Sequence, residues 1–183
     1  HDRSIWIGAN AVLDVAGRAF TAVDRLGRVY GQVGKGGSIV IGGEIDSKKI
    51  TATSADAYVI VRDGARLDAS GTRAVLDIAG LGPTEIATDG GRIALSSYNG
   101  VFIDGQLKAA AGGAGKSGGR LEIAQEAPLY PTNLASAEVR ARREIIIAQE
   151  TGESLLPLAL QAGEGAPLLR YGQTRLSADR LMS

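Results

Sequence analysis

Along residues 4–127 hydrophobic positions alternate with polar or small ones in runs of three to five residues, and the runs end in clusters of Gly, Asn or Asp. Ser4-Ile5-Trp6-Ile7, Ile39-Val40-Ile41 and Tyr58-Val59-Ile60-Val61 are the clearest cases. Their β-branched residues favour extended backbone, so the pattern predicts short strands separated by turns. Helical spacing of apolar residues is poor over the same range. Two-residue hairpin signals between strongly alternating strands are scarce, which counts against a β-sandwich.

The pattern also repeats. Ser4-Ile5-Trp6-Ile7 leads to Leu13-Asp14, and Tyr58-Val59-Ile60-Val61 leads in the same way to Leu67-Asp68. Gly36-Gly37-Ser38-Ile39-Val40-Ile41 recurs as Gly90-Gly91-Arg92-Ile93-Ala94-Leu95, and the offset from Gly36 to Gly90 equals that from Ser4 to Tyr58. A third copy, Gly118-Gly119-Arg120-Leu121-Glu122-Ile123, follows after about half that interval. Two phrases sharing one offset predict a period of stacked units, each burying its apolar face on the next. The expectation is an all-β chain folded as a parallel β-helix, or solenoid, with two or three coils in each such period. A second phrase, hydrophobic–Asp–small–small–Gly, stands at 11–17, 65–71 and 74–80, with a fragment at 102–112. In it Leu points inward, Asp accepts backbone N–H bonds, and Gly takes backbone angles other residues avoid. Asp14, Gly17, Asp68, Gly71, Asp77, Gly80 and Asp104 are therefore expected as structural turn residues.

After Ala127 the texture changes. "APLYPTNLAS" leaves the repeat, "EVRARREIIIAQE" reads as a strand through Ile145-Ile146-Ile147, and "TGESLLPLALQAGEGAPLL" carries little regular pattern. "GQTRLSADRL" resembles a return to the repeat. The expected organisation is β-helix coils over 1–127, an irregular extra-helical insertion over 128–170, and a truncated return over 171–183.

Composition narrows the chemistry. Gly numbers 26 of 183 residues while aromatics make up 4%, so the expected core is thin and lined by short side chains. Lys plus Arg balances Asp plus Glu at 20 each, which gives no electrostatic reason to expect nucleic acid. There is no cysteine, so thiol catalysis, cysteine metal sites and disulfides are excluded. No apolar run approaches the roughly 20 residues of a membrane span. Neither "HDRS" at the start nor "RLSADRLMS" at the end reads as a natural terminus, and the chain is expected to be a piece of a longer protein.

Four patterns approach known chemistry. "AAGGAGKS" at 110–117 comes near a phosphate-binding loop, but Ala110 replaces the first Gly and a strand, not a helix, follows. Gly115-Lys116-Ser117-Gly118-Gly119 matches a nucleophile elbow, yet the only His is His1 and the serine lacks its base. Asp68 and Asp77 would form a carboxylate pair if they sat on successive corners. No calcium-loop spacing appears, and neither cofactor nor metal is expected. Arg140, Arg142 and Arg143 form a basic patch suited to acidic glycans, and Trp6 and Tyr98 offer rings for sugar stacking. Trp6 sits between Ile5 and Ile7, so in a strand it faces away from both.

The phrases "AVLDVAGRAF", "GGSIVIG", "AYVIVRDGARLDASG" and "GGRIALSSYNGVFIDGQLKAAAGGAGKSGGRLEIA" are similar to those of the large filamentous haemagglutinin-like exoproteins of Gram-negative bacteria. These are the secreted partners of two-partner secretion, some of them contact-dependent inhibition toxins. The resemblance spans residues 4–126 and, more thinly, "RREIIIAQ" and "RLSADRL". It implies a right-handed parallel β-helix, export through an outer-membrane transporter, a place at the cell surface or beyond it, and a virulence role in adhesion or toxin presentation without catalysis. The family's Asn-Pro-Asn secretion motifs are absent from this sequence, so the segment is expected to be an interior shaft. Its expected partners are host-cell glycans or receptors, the transporter during secretion, and flanking coils of the same chain. Two alternatives stand beside this one. One is a polysaccharide lyase or hydrolase on a similar scaffold, which needs carboxylates and a basic residue grouped in an outer groove. The other is a passive spacer presenting a distal toxin.

Overall fold

The computed structural model describes residues 3–126, 143–149, 156–163 and 169–182. Among them the chain is all-β, with six sheets of two to five strands and one 3-10 turn at Ala178–Arg180. Three sheets are parallel. The first runs β1 (Ser4–Ile7), β8 (Tyr58–Val61), β13 (Gly100–Ile103), β17 (Gln173–Ser177), β16 (Glu144–Ala148). The second runs β2 (Val12–Asp14), β9 (Arg66–Asp68), β14 (Gln106–Lys108), β18 (Leu181–Met182). The third runs β5 (Ser38–Ile41), β12 (Arg92–Ser97), β15 (Arg120–Gln125). Three successive passages of the chain thus give one strand to each sheet, in the same order.

The register is set by aliphatic side chains. Ile5 aligns with Val59 and Val101, Ile7 with Val61 and Ile103, and Leu13 with Leu67 and Leu107. Ile39 aligns with Ile93 and Leu121, and Ile41 with Leu95 and Ile123. All of these belong to one core cluster, closed at one end by Leu176. A one-residue slip of any strand would turn its aliphatics out of that core. Fully burying one such side chain contributes about 1.5–3 kcal/mol.

The repeat offset read in the sequence joins strands that are direct neighbours: Ser4 pairs with Tyr58, Val12 with Arg66, and Ser38 with Arg92. It is a single step, not the two or three coils expected. Three antiparallel hairpins lengthen the path: β3 (Ala19–Val23) with β4 (Val29–Val33), β6 (Ile45–Asp46) with β7 (Thr51–Ala52), and β10 (Arg73–Ile78) with β11 (Gly82–Ala87). Their connections span 24–28, 47–50 and 79–81, longer than the two-residue turns looked for in the sequence. The third passage has only the turn 109–119 where the others carry a hairpin, so its step in the third sheet shortens and Arg120 already pairs with Arg92.

Each bypass is closed at its base in the same way. The amides of Gly37, Gly91 and Gly119 donate to the carbonyls of Val15, Ala69 and Ala109 at 2.8, 2.7 and 2.6 Å. Glycine is required there. A Cβ on Gly91 would lie 1.9 Å from the Gly37 oxygen, and one on Gly119 would lie 2.1 Å from the Gly91 oxygen.

The first sheet is covered on both faces, so β8 and β13 are buried at every position. Its outer side chains Tyr58, Ile60 and Phe102 pack with Leu156, Leu160 and Leu169, and the Tyr58 hydroxyl donates to the Leu169 carbonyl at 3.3 Å. Part of the 128–170 stretch, expected as an irregular excursion, thus forms an outer layer here. Within the same stretch Ile145-Ile146-Ile147 lies in β16, parallel to β17.

Candidate functional site

Trp6 lies on the outer face of the first sheet, opposite to Ile5 and Ile7. It is half-buried against the Tyr58–Leu169 layer, with the Arg62 guanidinium 5.3 Å from its ring centroid. Tyr98 is half-buried at the bend between β12 and β13. Its amide donates to Ala55, and its carbonyl accepts from the Gln125 side chain at 2.7 Å. Arg143 is exposed just before β16; Arg140 and Arg142 lie outside the described residues. β1 and β16 are the opposite edges of the first sheet, so Trp6 and Arg143 stand roughly 19 Å apart at the usual strand spacing and share no site.

The turn residues fall into two groups. Asp14 and Asp68 are stacked in register and behave alike. Asp14 Oδ1 accepts the Ala16 amide at 2.9 Å, and Asp68 Oδ1 accepts the Ser70 amide at 3.0 Å. Gly17 and Gly71 follow where a Cβ would strike the Gly34 and Thr88 carbonyls, at 2.1 and 2.3 Å. Asp77 is no corner residue: it lies inside β10, opposite Pro83, and its carboxylate accepts the Val29 amide from the neighbouring hairpin. Gly80 sits in that hairpin's loop at φ +80°. Asp104 does not align with Asp14 and Asp68; Lys108 takes their place in β14. Asp104 is buried at a different bend, where its amide donates to Val61 at 2.8 Å.

Asp68 and Asp77 are held by separate partners, so the expected carboxylate pair does not form. Burial pushes the Asp68 carboxyl up, but hydrogen bonds from the Ser70 hydroxyl and amide and from Arg66, with the Lys108 charge, outweigh it and hold its pKa below the ordinary value. Asp24 is also held low, chiefly by the Arg28 amide. Both shifts are opposite to what a general acid needs. "AAGGAGKS" forms the turn between β14 and β15, with the Ser117 amide on Asp89 Oδ1 at 2.9 Å and β15 following directly. Among the described residues no three acidic or His side chains come together as metal ligands.

One charged group has no counterpart in the motifs of the sequence. On the outer face of the third sheet Arg92 Nε contacts Glu122 Oε2 at 2.6 Å, and its Nη1 contacts Glu44 at 3.2 Å. Arg92 Nη2 donates to the Ile45 carbonyl at 2.8 Å, and Arg120 Nε contacts Glu122 Oε1 at 3.2 Å. The Glu122 hydrogen bond holds the Arg92 guanidinium above its ordinary pKa. A groove of about 430 Å³ opens beside it, lined in part by Asp46, Thr51, Glu122, Gln125 and Glu126. The signal for half of this group was present: the repeated Gly-Gly-Arg phrase stacks Arg92 on Arg120. Glu44 joins only through the β6–β7 excursion. The hairpin β3–β4 also exposes Phe20 and Tyr30 on one face, at diagonal positions of its register.

Comparison of the chain with protein-family models, curated proteins and solved structures returned no match.

Proposed function

We propose that this chain is a shaft segment of a large secreted bacterial surface protein, and that its three parallel sheets are the faces of a right-handed parallel β-helix. The observation that carries this reading is the stack of in-register aliphatics: three sheets, one strand from each passage, and one offset shared by Ser4–Tyr58, Val12–Arg66 and Ser38–Arg92. A stack of that kind gives length and stiffness, because each passage is stabilised by its neighbours. In this reading the parent protein crosses an outer-membrane transporter unfolded, is secreted or held at the surface of a Gram-negative cell, and mediates or presents adhesion to host glycans or receptors. The outward hairpins, with Phe20 and Tyr30 exposed, are the parts available for contact.

The test is binding of the folded, fluorescently labelled chain to epithelial cells and to a glycan array, beside a heat-unfolded control. Saturable binding lost on unfolding is expected of an adhesive segment. Absence of binding to both would leave a passive spacer.

A carbohydrate-active reading draws on the Glu44–Arg92–Glu122–Arg120 group beside its groove. It requires cleavage of an acidic polysaccharide that Glu122→Gln abolishes. The mutual pairing of these charges favours a role in tying β6 and β7 to the third sheet.

A further inference from the structure

The three parallel sheets end unevenly. Beyond β14 and β15 the first sheet continues with β17 and β16 and the second with β18, while the third stops at β15. Among the described residues no strand pairs with the outer edge of β15, so its row of N–H and C=O groups is open. An apolar cavity of about 220 Å³ lies at that edge, between Ile93, Leu107, Ala109, Leu121 and Leu181. It stands in line with the inward aliphatics of the third sheet.

The glycines give a second, independent mark. Gly36, Gly90 and Gly118 hold equivalent places before β5, β12 and β15. A Cβ on Gly36 would lie 2.1 Å from the Ala69 oxygen and 2.4 Å from the Gly91 amide, both in the next passage. A Cβ on Gly90 would lie 2.3 Å from the Ala109 oxygen and 2.5 Å from the Gly119 amide, again in the next passage. A Cβ on Gly118 would meet only the Ala109 oxygen of its own passage, at 3.6 Å. The space that a neighbouring backbone fills at the first two glycines is open at the third.

We propose that the outer edge of β15 is an acceptor site for one extended peptide strand of the pattern Gly-Gly-x-aliphatic-x-aliphatic, added parallel and in register. The peptide's glycines would pass over Gly118 and Gly119, and its first inward aliphatic would enter the cavity beside Leu121. Main-chain bonds along β15 supply affinity, and alternate side chains supply specificity, as in other strand additions. A whole second copy of the chain does not fit, because β5 would bring β1 and β2 with it, and β17, β16 and β18 already occupy the positions those strands need. The occupant is a single strand donated by a partner segment. This inference rests on the stacked reading of the three sheets.

The probe is an acetylated peptide Gly-Gly-Arg-Ile-Ala-Leu-Ser, the sequence of residues 90–96, added to the full chain and followed by amide hydrogen exchange. Saturable slowing of about tenfold or more is expected at outward amides of Leu121–Gln125, with no change at β1 or β5. Gly118→Ala is expected to leave the fold intact, since its Cβ has room, and to abolish the peptide effect. A scrambled peptide is expected to do nothing. Absence of saturable slowing, slowing at the β5 edge instead, or full binding by Gly118→Ala would each overturn the acceptor site. Exchange without peptide separates the two claims. Fast exchange throughout β8, β12 and β13 would sink the stacked reading itself, while slow exchange there with no peptide effect sinks only the acceptor.

Discussion

Residues 65–71 and 74–80 carry nearly the same phrase, "ARLDASG" and "AVLDIAG", and take different places in the molecule. In the first, Leu67 is fully buried in a parallel ladder whose neighbours, Leu13 and Leu107, come from the passages before and after it. Asp68 caps its own turn. In the second, Leu76 lies in a hairpin whose partner strand comes directly after it in the chain, and Asp77 reaches across to a different hairpin. Gly71 is fixed by the backbone around it, whereas Gly80 has nothing within 4 Å of its Cβ position and serves the turn through its positive φ. The phrase supplies extended propensity and a turn residue. The residues after it decide whether the strand closes on itself: Ile78 to Gly82 turns at once, and Pro83 begins the return strand without needing a ladder N–H.

Substitutions can break this contrast in graded ways. Leu67→Ala is expected to have the largest effect, about 2–5 kcal/mol of unfolding free energy by urea titration, because it opens a cavity inside the ladder. Gly71→Ala follows, at about 3 kcal/mol or less from steric conflict with the Thr88 and Asp89 carbonyls. Asp68→Asn is expected to cost about 1–3 kcal/mol at neutral pH, since a buried acceptor of the Ser70 amide and Arg66 is weakened. That loss depends on pH. The carboxyl ionises at lower pH in the folded chain than in the unfolded one, so its contribution is complete above the ordinary value of 3.8 and fades as pH falls through the lowered folded value. Urea titrations of wild type and variant should therefore converge in acid and separate above it. Gly80→Ala is expected to cost only about 1 kcal/mol, for the left-handed backbone alone. Val75→Ala, in the second phrase at a half-exposed position, is expected to stay within about 0.5 kcal/mol.

The ladders were legible in the sequence because stacking requires equal side chains at equal offsets, and the offset of Ser4 to Tyr58 is also that of Ser38 to Arg92. The hairpins were hidden for a physical reason. Val75 to Ile78 has the same extended propensity as Leu67 and Asp68. Local pattern does not tell a distant parallel partner, such as Leu107 for Leu67, from an antiparallel one across the short loop 79–81. The cover over Trp6 was hidden too: it pairs residues near the start of the chain with Leu156, Leu160 and Leu169, beyond any local signal. Asp104 was misaligned because its phrase keeps the Leu of the corner, Leu107, but carries Lys108 after it. Of the charged group, Arg92 and Arg120 were readable as a stacked pair, whereas Glu44 arrives through a hairpin that the alternation did not announce.

The central claim is that successive passages of the chain stack in register, with Val12 on Arg66 and Arg66 in turn on Gln106. These three residues occupy one exposed column of the second sheet. Neighbours in such a column have Cα atoms about 4.8 Å apart, within disulfide reach, and alternate strands stand roughly 9.6 Å apart, outside it. The chain has no cysteine to compete. The measurement is oxidation of the double variants Val12→Cys/Arg66→Cys, Arg66→Cys/Gln106→Cys and Val12→Cys/Gln106→Cys under native conditions. Rapid closure of the first two pairs with the third left reduced is the predicted result. Closure of the third pair at the same rate, or failure of both neighbouring pairs to close, would contradict the stack.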